Sequence, residues 1–275
     1  MNTSFDLLPL NSVRKILASI GIDDSNALIC STSKNEEELL LKIKAIEKKL
    51  QDKWVTRNSD NDFSIYSDET YFTNLILSYV YYSSNYIGFA IEQILQYAKN
   101  THKQHDALKI YEDYPGFGLS TLHLCASGFK NISIFNDVPC QIEWMKRVFA
   151  ESAKTSTIFK LPDIFVKRPL DEKYDVVLSF ECAEHYQQPI EYVKQISSLV
   201  KSGGMLGISA TYRYFQPKGN YFYSGHWPKY TVNGKDFYSE TETLAAMHGY
   251  LTALNFEKLP NLSEHDPRLN FYQKL

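Results

Sequence analysis

Cysteine is scarce in this chain and badly spaced for chemistry. Cys30, Cys125, Cys140 and Cys182 are the only four in 275 residues, and no two form a C-x-x-C pair. Structural zinc and a disulfide scaffold are both disfavoured on that pattern. Positive charge is not in excess either: 29 Lys and Arg stand against 32 Asp and Glu, a formal net charge of -3. Duplex nucleic acid demands many phosphate contacts, so it is disfavoured as a partner. Long apolar runs are missing as well. The most apolar region, Leu75 to Leu95, is broken by Ser78, Ser83, Ser84, Asn85 and Glu92, which predicts buried helices and no membrane span. The first twenty residues contain Asp6 and lack a cationic start followed by an apolar core, so no secretory signal is expected and the cytoplasm is the expected location.

What remains is ordinary globular composition, 44% hydrophobic and 22% charged, in a chain long enough for a core domain with an extension. Residues 1–100 read as a helical lid or cap, and 101–275 as the ligand-binding domain. Val13, Ile16, Leu17 and Ile20 share one helical face ahead of Gly21. Ser33 and Glu36 form a capping-box pattern before Leu39, Ile43, Ile46 and Leu50. A polar linker, Trp54 to Asp68, precedes two further helices, one carrying Tyr71, Phe72, Leu75, Ile76 and Tyr79, the next Ile87, Ile91, Ile94 and Leu95.

The chain is organised around Leu108 to Asp137. Leu108, Ile110 and Tyr111 suit a strand, and Gly116-Phe117-Gly118 forces a turn. Leu119, Leu122 and Cys125-Ala126 recur at helical spacing until Gly128, after which Ile132, Ile134 and Phe135 resume a strand. This is half of a nucleotide-binding βαβ unit. Glycines after the first strand let backbone approach a ligand, and Asp137 at the end of the second can accept hydrogen bonds from a ribose. A dinucleotide fingerprint needs a third glycine where Thr121 stands, which weakens the reading as a nicotinamide-dependent oxidoreductase.

Glu112-Asp113-Tyr114-Pro115-Gly116-Phe117-Gly118 resembles the first motif of the class I S-adenosylmethionine-dependent methyltransferases, acidic-x-Gly-x-Gly-x-Gly, with Tyr114 replacing the first glycine. Two further blocks follow in the family's order. Lys173-Tyr174-Asp175-Val176-Val177-Leu178-Ser179-Phe180-Glu181-Cys182-Ala183-Glu184-His185 looks like its fourth strand and polar loop. Lys201-Ser202-Gly203-Gly204-Met205-Leu206-Gly207-Ile208-Ser209 is similar to its Gly-Gly strand, after a helix over Pro189 to Val200. The resemblance implies an α/β fold, a seven-stranded mostly parallel sheet with helices on both faces and the last two strands antiparallel at its edge, behind the N-terminal helical extension. It implies S-adenosyl-L-methionine as cofactor, with contacts from Glu112, Asp113, Tyr114, Gly116, Gly118, Asp137, Val138, Phe180 and Glu181. Asp163 and Ile164 stand where the family contacts adenine, and Tyr66 or Tyr71 where it closes over the cofactor.

A helix is expected over Val138 to Ser152, a strand over Thr157 to Leu161, a helix over Glu240 to Ala253, and strands over Phe256 to Leu259 and Leu269 to Leu275. Between them, 212–238 is a long connection crowded with aromatics, Tyr212, Tyr214, Tyr221, Tyr223 and Trp227 among them. So many rings argue for an acceptor-binding cover, the alternative being a homodimer interface or a plain loop. Methyl transfer to a neutral amine needs little base strength, whereas an oxygen acceptor must lose a proton; His185 and His226 are the candidate bases, each weighed against a structural role. Nothing has magnesium or zinc ligand spacing, so a metal-independent reaction is expected. The expected activity is methyl transfer to an oxygen or nitrogen of a small molecule. Its competitors are a methyltransferase-like partner subunit without turnover and the nicotinamide oxidoreductase.

Overall fold

The stretch around the glycine turn folds as strand, turn, helix, strand. β1 (Lys109–Asp113) buries Ile110 and Tyr111, the turn carries positive φ at Gly116 and Gly118, and α2 (Leu119–Ala126) ends before Gly128, also at positive φ. β2 (Asn131–Phe135) then lies parallel to β1 with Asp113 opposite Phe135. The computed structural model describes residues 41, 45, 48, 49, 87–116, 118–155, 160–165, 167–168, 171–186, 188–210, 230–237, 240–260 and 269–275. Two compact units divide the chain, one of residues 1–88 with 138–157, the other of 89–137 with 158–275.

In the first unit, residues 41, 45, 48 and 49 are helical, and α3 (Pro139–Thr155) buries Trp144, Met145, Val148 and Phe149 at helical spacing. The other helices expected before residue 87 lie outside the described residues.

The second unit is built on a sheet of seven strands. They are β1, β2, β3 (Asp163–Phe165), β4 (Tyr174–Phe180), β5 (Val200–Ser209), β8 (Phe256–Lys258) and β9 (Asn270–Lys274), in the order β3-β2-β1-β4-β5-β9-β8. All neighbours pair in parallel except that β9 runs antiparallel to both β5 and β8. β4 is buried along its whole length, as a central parallel strand must be. α1 (87–100) buries Ile87, Ile91 and Ile94, while Leu95, expected on the same face, is exposed. α4 (Pro189–Ser198) has proline at its start, where the missing N–H costs nothing, and buries Ile190, Val193 and Ile196. These join Leu251 of α5 (Glu240–Ala253) and Leu206 of β5 in one core on that face of the sheet. α2 takes the opposite face, since Glu112 reaches α2 and its neighbour Asp113 reaches α4.

Two expectations are corrected. The third strand forms at Asp163–Phe165, where pairing with Ser133, Ile134 and Phe135 fixes its position; of the stretch expected to form it, Thr157 to Leu161, Lys160 and Leu161 are outside any strand and the rest lies outside the described residues. The long connection contains β6 (Tyr230–Val232) and β7 (Lys235–Phe237), an antiparallel hairpin whose turn, Asn233-Gly234, has both residues at positive φ.

The amino ends of the strands are tied by Asp175 at the start of β4. Its carboxylate accepts from Lys103 Nζ at 2.6 Å, the Lys109 N–H at 2.9 Å and Lys201 Nζ at 3.3 Å. That end is structural, while the ends of β1 and β4 at the other carry Tyr114 and Glu181 at positive φ. Among the described residues no helix is long and apolar enough to cross a membrane.

Candidate functional site

The two acidic residues that close β1 are both buried and point to opposite faces. Glu112 is buried and accepts hydrogen bonds from Ser120 Oγ and, at 2.6 Å, from Thr121 Oγ1 in the first turn of α2. Thr121, the residue that spoils the dinucleotide fingerprint, is therefore part of the clamp joining strand to helix. Burial pushes the Glu112 carboxyl up to about 7, with the two hydroxyls acting against the shift.

Asp113 is fully buried on the other face. Arg168 grips it through Nε at 2.8 Å and Nη2 at 2.9 Å, while the Tyr111 and Tyr192 hydroxyls donate at 2.6 Å and 2.8 Å. The guanidinium lies over Phe135 at 4.7 Å, with Tyr192 at 5.6 Å and Tyr114 at 5.8 Å, and Tyr186 stacks on Tyr192 at 4.4 Å. Burial works against the Arg168 charge, but the hydrogen-bonded Asp113 carboxylate outweighs it and raises the pKa further.

Above this pair lies the turn. Tyr114 has φ +50, the left-handed conformation that glycine adopts at no cost and a tyrosine adopts at about 1–3 kcal/mol. Its N–H donates to Phe135 O at 2.9 Å, its ring meets Phe135 edge-on at 4.8 Å, and its hydroxyl donates to Asp137 Oδ2 at 3.0 Å. Gly116 has φ +58, and a Cβ added there would meet nothing within 4 Å, so the turn is open on its outer side. Gly118 caps α2, and Asn136, buried just after β2, donates to Gly116 O at 3.3 Å. Asp137 is exposed.

A second left-handed residue follows β4, the strand next to β1. Glu181, at φ +52 directly after Phe180, donates its N–H to Ser209 O at 3.0 Å and accepts from Ser209 Oγ at 3.0 Å through Oε1. Cys182 Sγ lies 3.5 Å from Asp113 O and 3.6 Å from Tyr114 O, joining the ends of β1 and β4. Its thiol is buried, which pushes it far above the ordinary range and leaves it inert as a nucleophile. His185 is exposed on the 3-10 turn Ala183–His185 and donates its N–H to Cys182 O.

The structure thus brings Tyr114, Gly116, Gly118, Asp137, Phe180 and Glu181 to one end of the sheet, where β1, β2 and β4 terminate. Asp163 and Ile164 are not there. Asp163 opens β3 opposite Ser133, two positions short of its end, and Ile164 is mid-strand, because the strand begins later than expected. Val138 leads into α3 in the other unit, its carbonyl accepting from the Ile142 N–H. Tyr66, Tyr71, Tyr212, Tyr214, Tyr221, Tyr223, His226 and Trp227 lie outside the described residues. Among the described residues no cluster of His, Cys, Asp and Glu could hold a metal. Sequence reasoning missed Arg168, Tyr192, Ser209 and Asn136. Only Asn136, polar and next to Asp137, carried a local signal.

No family model matches the chain, and no curated protein does. Solved structures do. An O-methyltransferase family protein from Burkholderia thailandensis aligns over 94% of this chain and 85% of its own at 12% identity, with a TM-score of 0.53. A magnesium protoporphyrin IX methyltransferase from Synechocystis PCC 6803, with bound SAH, aligns over 86% of this chain and 99% of its own at 11% identity and a TM-score of 0.49. An S-adenosylmethionine-dependent methyltransferase from Clostridium acetobutylicum ATCC 824 aligns over 73% and 96% at 15% identity, with the same TM-score of 0.49. The first of these is a likeness of fold. With its sheet order, its single reversed strand and a glycine turn closing the first strand, this chain has the class I, Rossmann-like methyltransferase fold.

Proposed function

We propose that the chain is an S-adenosyl-L-methionine-dependent methyltransferase whose donor lies where β1, β2 and β4 end. The observation that carries this is the left-handed turn of Tyr114, Gly116 and Gly118 beside the exposed carboxylate of Asp137. The residues present fit the donor. Open backbone at Gly116 suits a close approach, Asp137 can accept from ribose hydroxyls, and Glu181, held by Ser209, can accept from the methionyl ammonium. In this reading Glu112 and Asp113 support the turn from below, through Ser120 and Thr121 on one face and Arg168, Tyr111 and Tyr192 on the other.

The donor supplies a methyl group on a sulfonium, open to in-line displacement. The chain's part is to align the acceptor and exclude water. A small-molecule acceptor with oxygen or nitrogen as the attacking atom fits this reading, and the aromatic stretch 212–238 would cover it. For an oxygen acceptor, His185 on the exposed turn after β4 is one base and His226 the other. Full turnover at saturating acceptor in both His185→Ala and His226→Ala would remove base catalysis by either.

The direct test is calorimetry of the full chain with S-adenosylhomocysteine and, separately, NADH. Saturable binding of the first alone is expected, weakened at least tenfold in Gly116→Val, whose β-branched side chain resists φ +58. NADH binding without S-adenosylhomocysteine binding would overturn the proposal. The second reading, a binding subunit without turnover, is favoured by Asp113 being engaged by Arg168, Tyr111 and Tyr192. It predicts donor binding weak or absent and a stable complex with another protein.

A further inference from the structure

Tyr114 stands where the family's first motif has a glycine, and its backbone is strained there. Its φ of +50 belongs to the left-handed region, which Gly116 and Gly118 occupy freely in the same turn at +58 and +77. A non-glycine residue keeps such a conformation only where its surroundings over-determine it. Glycine would fill the position without strain, so whatever this residue contributes lies in its side chain.

That side chain is fixed beside the end of β2. Asp113 lies opposite Phe135 in the parallel pair, and the Tyr114 N–H extends the pairing to Phe135 O at 2.9 Å. The ring packs edge-on against Phe135 at 4.8 Å, with the Arg168 guanidinium 5.8 Å from its centre. Held in this way, the hydroxyl reaches two residues past Phe135 and donates to Asp137 Oδ2 at 3.0 Å. Burial raises the pKa of the hydroxyl above its ordinary value, so at neutral pH it remains a donor.

Asp137 itself is exposed. Ordering a free side chain opposes binding, so a ligand that meets a side chain already ordered binds more tightly. A carboxylate has two oxygens and about four acceptor positions, which leaves Oδ1 able to take ribose hydroxyls while Oδ2 holds the phenol. We propose that Tyr114 is a positioning residue, holding the Asp137 carboxylate by Oδ2 so that Oδ1 meets the ribose of the donor. The proposal rests on the reading of the crevice as a donor site and deepens it: the departure from glycine is part of ribose recognition in this chain.

Calorimetry of the full chain with S-adenosylhomocysteine and with its 2′,3′-dideoxy analogue separates positioning from support of the fold. Tyr114→Phe keeps the ring and loses the hydroxyl. It should weaken S-adenosylhomocysteine about fivefold, the worth of ordering one exposed side chain. The dideoxy analogue offers Asp137 no hydroxyl, so its affinity should be the same in Tyr114→Phe as in wild type. In an Asp137→Ala background, Tyr114→Phe should make no further difference to S-adenosylhomocysteine. Tyr114→Gly restores the motif and relieves the strain, yet it too should bind S-adenosylhomocysteine more weakly than wild type does. Equal weakening of both ligands in Tyr114→Phe would show a merely structural role and overturn the proposal. So would S-adenosylhomocysteine binding as tight as wild type, or tighter, in either Tyr114→Phe or Tyr114→Gly, because the hydroxyl would then be idle or in competition with the ribose. Wild-type chain that binds no S-adenosylhomocysteine would overturn the donor reading together with this one, whereas wild-type binding unaltered by Tyr114→Phe overturns this one alone.

Discussion

Asp113 is a carboxylate with no water to turn to, and Arg168 is what makes its burial tolerable. Removing one member of such a pair leaves an uncompensated charge, typically worth about 3–5 kcal/mol, whereas replacing both members can be nearly neutral. Arg168→Met should therefore lower the unfolding free energy by about 3–5 kcal/mol, read by urea denaturation. Adding Asp113→Asn should restore at least half of the loss. A single variant as stable as wild type would show the pair to be idle. Glu112 gives a pH signature of the opposite kind. Its folded pKa of about 7 lies above the ordinary 4.5, so the folded chain holds the proton where the unfolded chain has released it. Its contribution is thus fully present below pH 4.5 and is lost as pH rises through 7, a fall of about 3 kcal/mol. Asp175, held low mainly by Lys103 against its own desolvation, acts in the reverse sense and below 3.8, outside this window. Urea titrations between pH 4.5 and 8 should show the decline in wild type and lose it in Glu112→Gln, where the opposite trend of His123 remains: burial lowers its pKa, so stability falls as pH drops below 6.5.

The elements explain why Arg168 is where it is. β3 ends at Phe165 and β4 begins at Tyr174, leaving eight residues for a parallel crossover that usually takes a dozen or more and a helix. Among the described residues of 166–173 there is no helix, and the sheet face beside β1 is covered instead by Arg168 with Tyr192 and Phe135. The Gly-Gly start of β5 has an equally physical reason. Gly203 needs φ +71, and a Cβ on Gly204 would come 2.8 Å from Lys201 O and 3.1 Å from Asp175 O, both backbone atoms that cannot step aside. Gly204→Ala should cost about 1–3 kcal/mol in the same denaturation assay, more than Gly203→Asn, where an αL-tolerant residue meets open space. This pattern bears on what a reader of the bare sequence can see. β4, α4, α5 and the glycine turn were legible because local apolar spacing and turn chemistry decide them. β3 was not, because Thr157-Ile158-Phe159 looks more strand-like than Asp163–Phe165, and only pairing with β2 settles the matter. The β6–β7 hairpin announced itself in Asn233-Gly234 but was absorbed into a long aromatic connection. Arg168 and Tyr192 lie 55 and 79 residues from Asp113, and nothing local points from one to the other.

At the scale of the whole molecule, the sheet sorts its two ends by task. The amino ends are bound together by Asp175 with Lys103 and Lys201, whereas the carboxyl ends hold two non-glycine residues at positive φ, Tyr114 and Glu181, on adjacent strands. Strain at neighbouring positions of one crevice persists where the surroundings over-determine it, and it concentrates at sites of binding. On the proposed reading, a single donor molecule spans segments far apart in sequence. S-adenosylhomocysteine at a hundredfold its dissociation constant should then add about 2.7 kcal/mol to stability. It should also slow amide hydrogen exchange together at 112–118, 136–137 and 180–182, because ligand binding closes local openings in the elements it bridges. Asp137→Asn should reduce that protection in all three segments at once, since the loss of one anchor weakens the whole complex and not a single contact. Protection confined to one segment, or centred on α5 and β9 instead, would place the donor elsewhere and leave the strained crevice without this function.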